Sequence, residues 1–316
     1  MTLSIEAISA QLSADRSTLV LKKLQLDDND IKLVCDYLQE HPSVVGLDIS
    51  QNGLADTAAA LLAENNTLVY LDISCNRLSA AEAKLLAGHK MLRSLNIGSN
   101  QIGAEGAHFL AANKRLIELN ISWNAIFSKG LIAFADHESL EKLTAIGNEI
   151  DNEGAISIAA NKKLSILDLG WNFIEDRGVA AFVNNRQLKF LNLSWNRIGD
   201  EGATTLSKNI SLTGLDLSFN LIYKKGIAAL SSNFRLKQLK LGGLTCLGEE
   251  EMEIISEKNP LRKANFRAGE KEVPPLVSLS LFSLQKGIRE GKISSEKIKS
   301  LPQELMETHF GISGSK

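Results

Sequence analysis

Apolar positions along most of this chain follow a short alternation that breaks and then returns. In "LNLSWNRIGDEGA", beginning at Leu191, leucines alternate with polar residues as far as Trp195 and Asn196. The alternation then fails at Arg197, and Gly202 and Ala203 follow. "LDLGWNFIEDRGVA" from Leu167 and "LNISWNAIFSKG" from Leu119 are copies of the same stretch. The asparagine fixes the period: Asn52, Asn76, Asn100, Asn124, Asn148, Asn172, Asn196 and Asn220 stand 24 residues apart. An out-of-step copy, "LQLDDNDI" with Asn29, is read ahead of them, and weaker copies begin at Leu236 and Leu261. Self-similarity at one fixed period marks an array of stacked units, none of which buries a core alone.

The stretch from Leu188 to Asn209 serves as a typical unit. Leu188, Leu191 and Leu193 form L-x-x-L-x-L, which predicts a strand of about three residues with one buried face. Asn196 follows at the turn, where its amide can satisfy backbone groups and stacked copies can form a ladder. Ile198 returns to the core, and Leu206 marks the apolar face of a short helix. Gly106, Gly130, Gly154, Gly178, Gly202 and Gly226 form a column that implies close approach between neighbouring helices. Asn113, Asn161, Asn185, Asn209 and Asn233 recur after the helix. A left-handed helix-ending conformation is expected there. His89 and His137 fall in this same column and are read as structural. Ala145 replaces the second strand leucine in "LEKLTAIGN", so that unit is expected to be under-packed.

The motif L-x-x-L-x-L-x-x-N-x-I/L, present in eight consecutive units between Val44 and Ile222, resembles the leucine-rich repeat family. The trailing "IGAEGAHFLAAN" and "IGDEGATTLSKN" resemble its ribonuclease-inhibitor-like class. More closely they resemble the 24-residue GALA-type variant of proteins that bacteria inject into host cells. The resemblance covers about residues 20 to 245. It implies an α/β solenoid: a curved horseshoe with a parallel β-sheet on its concave face and short helices on its convex face. The expected organisation is a helical N-terminal cap over 1–20, the solenoid over 21–270 and a helical C-terminal cap or extension over 271–316. GALA-type effectors carry an F-box ahead of the repeats. Only some twenty residues precede the first strand here, so no N-terminal F-box is expected.

Residues between the strand leucines should point out of the concave face. The position before the Asn holds Gln51, Cys75, Ser99, Trp123, Gly147, Trp171, Trp195 and Phe219, and the strand-start row holds Tyr70, Ile166 and Phe190. Ile166, Trp171, Phe190, Trp195 and Phe219 are expected to form one exposed apolar cluster, as interaction sites do. Alternatively, the rings lie flat over the turns and shield the edges of the units. A second row holds Asp48, Asp72, Asn96, Asn120, Thr144, Asp168, Asn192 and Asp216. Adjacent like charges such as Asp48 and Asp72 repel. Either the carboxylates cap backbone groups or a basic partner meets them.

Composition narrows the function further. The net charge is −2, which leaves no basic footprint for nucleic acid. Three scattered cysteines, Cys35, Cys75 and Cys246, suit a reducing compartment and show no metal spacing. The start, "MTLSIEAISAQLSADRS", lacks the build of a classical secretory signal, and no apolar run approaches ~20 residues. The expected location is cytoplasmic or, for an injected effector, the host cytosol. Asn120 and Asn192 match a glycosylation motif but fall within predicted strands. No nucleophile setting, phosphate loop or metal spacing is present. The chain is therefore read as a monomeric, non-catalytic protein-binding module without cofactor or metal. A scaffold without a host target and an enzyme acting through Cys75 are the competing readings.

The C-terminal stretch carries one further pattern. "PLVSLSLFSL", with Pro275, Leu276, Ser280 and Leu284, followed by Leu301-Pro302, resembles an elongin-binding BC-box with a reduced cullin-box; Ser280 stands where that family has Cys. The resemblance implies elongin B/C and a cullin as partners, and with them a ubiquitin-ligase substrate receptor. A plain helical cap over the last unit is the alternative. Glu304 and Glu307 ahead of a small polar tail also resemble a C-terminal export signal.

Overall fold

The structure, a computed structural model, describes residues 3–242. The copy at Leu261, Cys246 and the segment with Pro275, Leu276, Ser280, Leu284, Leu301 and Pro302 lie outside the described residues. Ten three-residue strands form one parallel sheet in chain order: β1 Thr18–Val20, β2 Gly46–Asp48, β3 Tyr70–Asp72, β4 Ser94–Asn96, β5 Glu118–Asn120, β6 Lys142–Thr144, β7 Ile166–Asp168, β8 Phe190–Asn192, β9 Gly214–Asp216 and β10 Gln238–Lys240. Helix α1 Ile5–Ser9 precedes the sheet, and the helices between strands are α2 Asp28–Glu40, α3 Asp56–Ala63, α4 Ala80–Ala87, α5 Gly103–Ala111, α6 Phe127–Ile132, α7 Asn152–Ile158, α8 Asp176–Ala180, α9 Asp200–Leu206 and α10 Lys224–Ser231. The central leucine of each strand pairs with the next, Leu47 with Leu71 and Leu71 with Leu95, and all are buried. Helix axes need ~8–10 Å between them and strands only ~4.8 Å. Units built this way therefore stack along an arc with the strands on the inside.

The asparagine column welds one unit to the next. Asn148 has no exposure, and its Nδ2 donates to the Ile121 carbonyl at 2.9 Å and the Ile146 carbonyl at 3.3 Å. Its Oδ1 accepts from the backbone N–H of Asn124 at 3.0 Å and of Ile126 at 3.3 Å. Asn172 repeats this towards Asn148, and Asn196 and Asn220 towards the units before them. The glycine column performs the close approach its position implies. A Cβ on Gly106 would lie 2.6 Å from Ile102 Cβ and 3.1 Å from Ala83 Cβ on the preceding helix. Ala145 is fully buried, and the equivalent helix position before and after its unit carries the largest buried core side chains, Phe134 and Phe182.

Two expectations need correction. The first unit is not "LQLDDNDI". Leu19 of β1 pairs with Leu47, and Leu24 takes the asparagine's place in the turn, its N–H donating to Asn52 Oδ1 at 2.8 Å. Asn29 lies in α2, the longest helix described, whose extra length makes this first step longer than the others. The first strand thus begins inside the segment expected to be a helical cap.

The helix-ending asparagines are also not left-handed. Asn185 has φ −67° and ψ 128°, and none of that column has positive φ. Hydrogen bonding selects them instead. Asn161 Oδ1 accepts from Lys163 N–H at 2.8 Å and Leu164 N–H at 2.9 Å, while Nδ2 reaches the carbonyls of Phe134 and His137. His89 and His137 substitute an imidazole for the amide. Nδ1 of His89 accepts from the N–H groups of Met91 and Leu92, and Nδ1 of His137 accepts from Leu140 N–H.

Asn148→Ala would leave the N–H groups of Asn124 and Ile126 unpaired in the core, while the Ile121 and Ile146 carbonyls keep Asn124 Nδ2 and the Trp123 N–H. A loss of roughly 3 kcal/mol or more in urea unfolding is expected. The histidines add a pH dependence. Burial holds both imidazoles below the ordinary value of 6.5, and protonation would remove the acceptor that closes each turn. Groups with depressed folded values contribute stability above the unfolded value and lose it as pH falls. Stability should therefore decline as pH drops below 6.5, and His89→Asn/His137→Asn should flatten that decline in thermal melts across the acid range.

Candidate functional site

Strand alternation leaves three rows on the open side of the sheet. The strand-start row runs from Tyr70 through Ser94, Glu118, Lys142, Ile166 and Phe190 to Gly214. The polar row at the strand ends runs from Asp48 through Asp72, Asn96, Asn120, Thr144, Asp168 and Asn192 to Asp216. The turn row just beyond carries the residues that precede the buried asparagines.

Every member of the turn row from Gln51 to Phe219 has a left-handed backbone, with φ between 54° and 64°. For a tryptophan this conformation costs roughly 1–2 kcal/mol. It is held by hydrogen bonds that prolong the sheet: Trp171 N–H to Ser194 O and Trp195 N–H to Ser218 O, both 2.9 Å. The turn stacks the side chains into a continuous ladder. Trp195 lies 4.5 Å from Trp171 at 30° and 3.9 Å from Phe219 at 6° between ring planes. Trp123 joins the ladder across one unit, 5.9 Å from Trp171 and tilted by 58°. Gly147 makes that reach possible, since a Cβ there would stand 2.4 Å from Trp123 Cε3. All four rings are half-buried. Both faces of Trp195 are covered by neighbouring rings, so only its edge meets solvent.

The apolar cluster is therefore two rows rather than one. Trp171, Trp195 and Phe219 stack at the turn. Ile166 and Phe190 sit at strand starts, on the far side of Asp168, Asn192 and Asp216. Phe190 lies over the neighbouring strand, where a Cβ on Gly214 would be 2.5 Å from its Cδ2. Further apolar residues border the ladder that the repeat alignment did not single out. Phe173 carries the Arg197 guanidinium 4.6 Å from its ring centre, and Leu221 and Tyr223 are 56% and 53% exposed. Their signal was present in the sequence: Phe173, Arg197 and Leu221 each stand two residues past a ladder ring.

The polar row is occupied in capping. Oδ1 of Asp48, Asp72, Asp168 and Asp216 accepts the backbone N–H two residues on, at 2.9–3.0 Å. Asn96, Asn120 and Asn192 make the same bond. Across strands, Asn96 Nδ2 donates to Asp72 Oδ2 at 2.8 Å and Asn192 Nδ2 to Asp168 Oδ2 at 3.0 Å. Asp216 is nearly buried and pairs with Lys240 at 3.6 Å. Burial pushes the Asp168 carboxyl up, opposed by its backbone and Asn192 bonds. Tyr70 is 37% exposed, and its phenol is pushed up to about 12 by burial first and then by the charges of Asp72 and Asp48. Between Tyr70 and Thr144 the sheet surface sinks into a polar depression of about 190 Å³ floored by Asn96 and Asn120 and edged by the Glu118–Lys142 pair, 3.4 Å apart.

Cys75 is exposed in the turn row, while the buried Cys35 thiol is pushed up to about 11 by burial. Among the described residues no group of three His, Cys, Asp or Glu side chains could hold a metal ion. No helix described there is long and apolar enough to cross a membrane.

A stack of buried leucines, an asparagine ladder and an open parallel sheet define a leucine-rich-repeat solenoid. A Leucine Rich repeat family model matches residues 64–87, 88–111, 112–135, 160–183 and 184–207. Among solved structures the chain is similar to an internalin (inlF) from Listeria monocytogenes str. 4b F2365. Identity is 20%, the match covers 75% of this chain and 88% of that one, and the TM-score is 0.45. It is also similar to an internalin C2 (inlC2) from the same strain, with 18% identity, 68% and 84% coverage and a TM-score of 0.49. A search of curated proteins gives no match.

All three tryptophans of the chain belong to the ladder. Rings this close and not parallel should give an exciton couplet in far-ultraviolet circular dichroism. Gly147→Ala places a methyl group where Trp123 lies, in a backbone region L residues disfavour. It should remove the Trp123 contribution and leave the Trp171–Trp195 signal.

Proposed function

We propose that this chain is a non-catalytic protein-binding module whose partner docks on the strand side of the sheet, anchored by the aromatic ladder and the apolar residues beside it. The observation that carries this reading is the run of Trp171, Trp195 and Phe219 with Phe173, Leu221 and Tyr223 alongside. The core is complete without most of that surface, and exposed contiguous apolar surface marks interaction sites. The polar row adds hydrogen-bonding groups already oriented by their caps, Asp48, Asp72, Asp168 and Asp216 among them, and Tyr70 of the strand-start row stands on the same strand as Asp72. A bacterial effector acting on a host protein is the finer form of this reading, supported by the GALA-type repeat. A ubiquitin-ligase receptor rests on the BC-box-like residues Pro275, Leu276, Ser280, Leu284, Leu301 and Pro302 alone.

Trp195 separates binding from scaffolding. Trp195→Ala is expected to weaken affinity for a partner captured by the wild-type chain by about 2 kcal/mol or more, as hot-spot aromatics do. Its cost in stability should stay below the ~3–5 kcal/mol of truncating a fully buried ring. Leu193→Ala, two residues away and fully buried, should show the reverse pattern. Calorimetric titration and thermal melts of both variants decide the matter. Equal unfolding by the two substitutions would assign the ring to the scaffold.

A further inference from the structure

The strand face is not uniform along the stack, and its gradient describes the segment that would fit it. At the β2–β3 end, Asp48 and Asp72 are register neighbours, about 4.8 Å apart in strand spacing. Like charges opposed on adjacent strands are destabilising. Capping does not require the charge, because Asn96, Asn120 and Asn192 make the same bond at the same position without one. Most other charges of the open rows are paired, although the exposed Lys23 holds the turn-row position one unit before Gln51. Glu118 pairs with Lys142 and Asp216 with Lys240, while Asp168 and Asp72 each take one neighbouring amide, from Asn192 and Asn96, and Asp72 also the Ser74 hydroxyl, bonds that leave both carboxylates charged. Asp48 and Asp72 have no ion pair among the described residues. Tyr70 lies beside them, its phenol pushed up first by burial and then by the charges of both carboxylates. At the β7–β9 end the surface is aromatic.

Resting on the binding reading above, we propose that the partner presents an extended segment lying across the strands, with a lysine or arginine on the Asp48–Asp72–Tyr70 end and an apolar or aromatic anchor on the Trp195 end. The polar depression over β4–β6 lies beneath the residues between them. Five strand steps separate β3 from β8. At ~4.8 Å per step that is roughly 24 Å, and an extended chain advances ~3.3 Å per residue, so about seven residues join the two anchors.

The test is selection of random peptides of about a dozen residues, enough to span both ends, on the immobilised full chain. Three forms are compared: wild type, Asp48→Asn/Asp72→Asn and Trp195→Ala. The Asn pair keeps both caps and trades the Asn96–Asp72 bond for relief of the opposed charges, so it should still melt cooperatively, close to wild type. Wild type should enrich peptides with Lys or Arg about seven positions from an aromatic or branched aliphatic residue. A synthetic copy of an enriched peptide should bind the Asn pair about tenfold more weakly and with reduced salt dependence, as lost charge contacts do. Enriched peptides without a basic bias, or bound equally by the Asn pair yet lost by Trp195→Ala, would overturn the cationic partner and leave the binding face standing. Enrichment of nothing, or of peptides indifferent to both variants, would overturn both.

Discussion

A parallel strand of three residues must be followed by a turn, and in a stacked array that turn lies inside the core. Its backbone groups then have no water to bond to, and each one left bare costs about 1–3 kcal/mol. The buried asparagine meets this constraint with one side chain that donates within its own unit and to the unit before, and accepts from the unit before. Strand length, unit length and the direction of stacking follow from that arrangement. A helix of more than a few turns would not fit between two such turns, and a longer strand would displace the amide from its carbonyls. The second asparagine column repeats the device at the other end of the helix, and imidazole serves there as well because it offers an acceptor and a donor on one ring.

The same turn creates the surface available for recognition. The residue before the asparagine is forced into the left-handed region so that the amide can face inward. In that conformation its own side chain is delivered to the rim of the sheet in every unit at the same height. Small or polar residues there leave the rim plain, as at Ser99 and Gln51. Aromatic residues in successive units must stack. The apolar rim is thus a by-product of core satisfaction, and where it sits along the arc depends only on which units carry rings.

Most of the solenoid was legible because a fixed period reports contacts directly: Leu47, Leu71 and Leu95 pair as their spacing implies. What failed did so where one residue type has two physical uses. Asn29 looked like a turn asparagine and lies in a helix, because the first unit is longer and Leu24 fills the turn. Asn185 looked like a left-handed helix end, although its amide is selected for hydrogen bonds. The left-handed column itself was invisible, since Trp and Phe are among the last residues one would place at positive φ. Phe190 was grouped with Trp195 because both point outward. Five residues of chain and a polar row keep them apart.

The regular step has a consequence for how such a face can change. Each unit touches its neighbours and little else, so a whole 24-residue unit between Tyr70 and Trp195 could be lost or duplicated without disturbing the amide ladder on either side. The two ends of the face would then move by one strand spacing, ~4.8 Å, or about one and a half residues of an extended ligand. The stack is in this sense a ruler graduated in repeats, whose length can be reset by recombination while every side chain that reads the ends stays as it was.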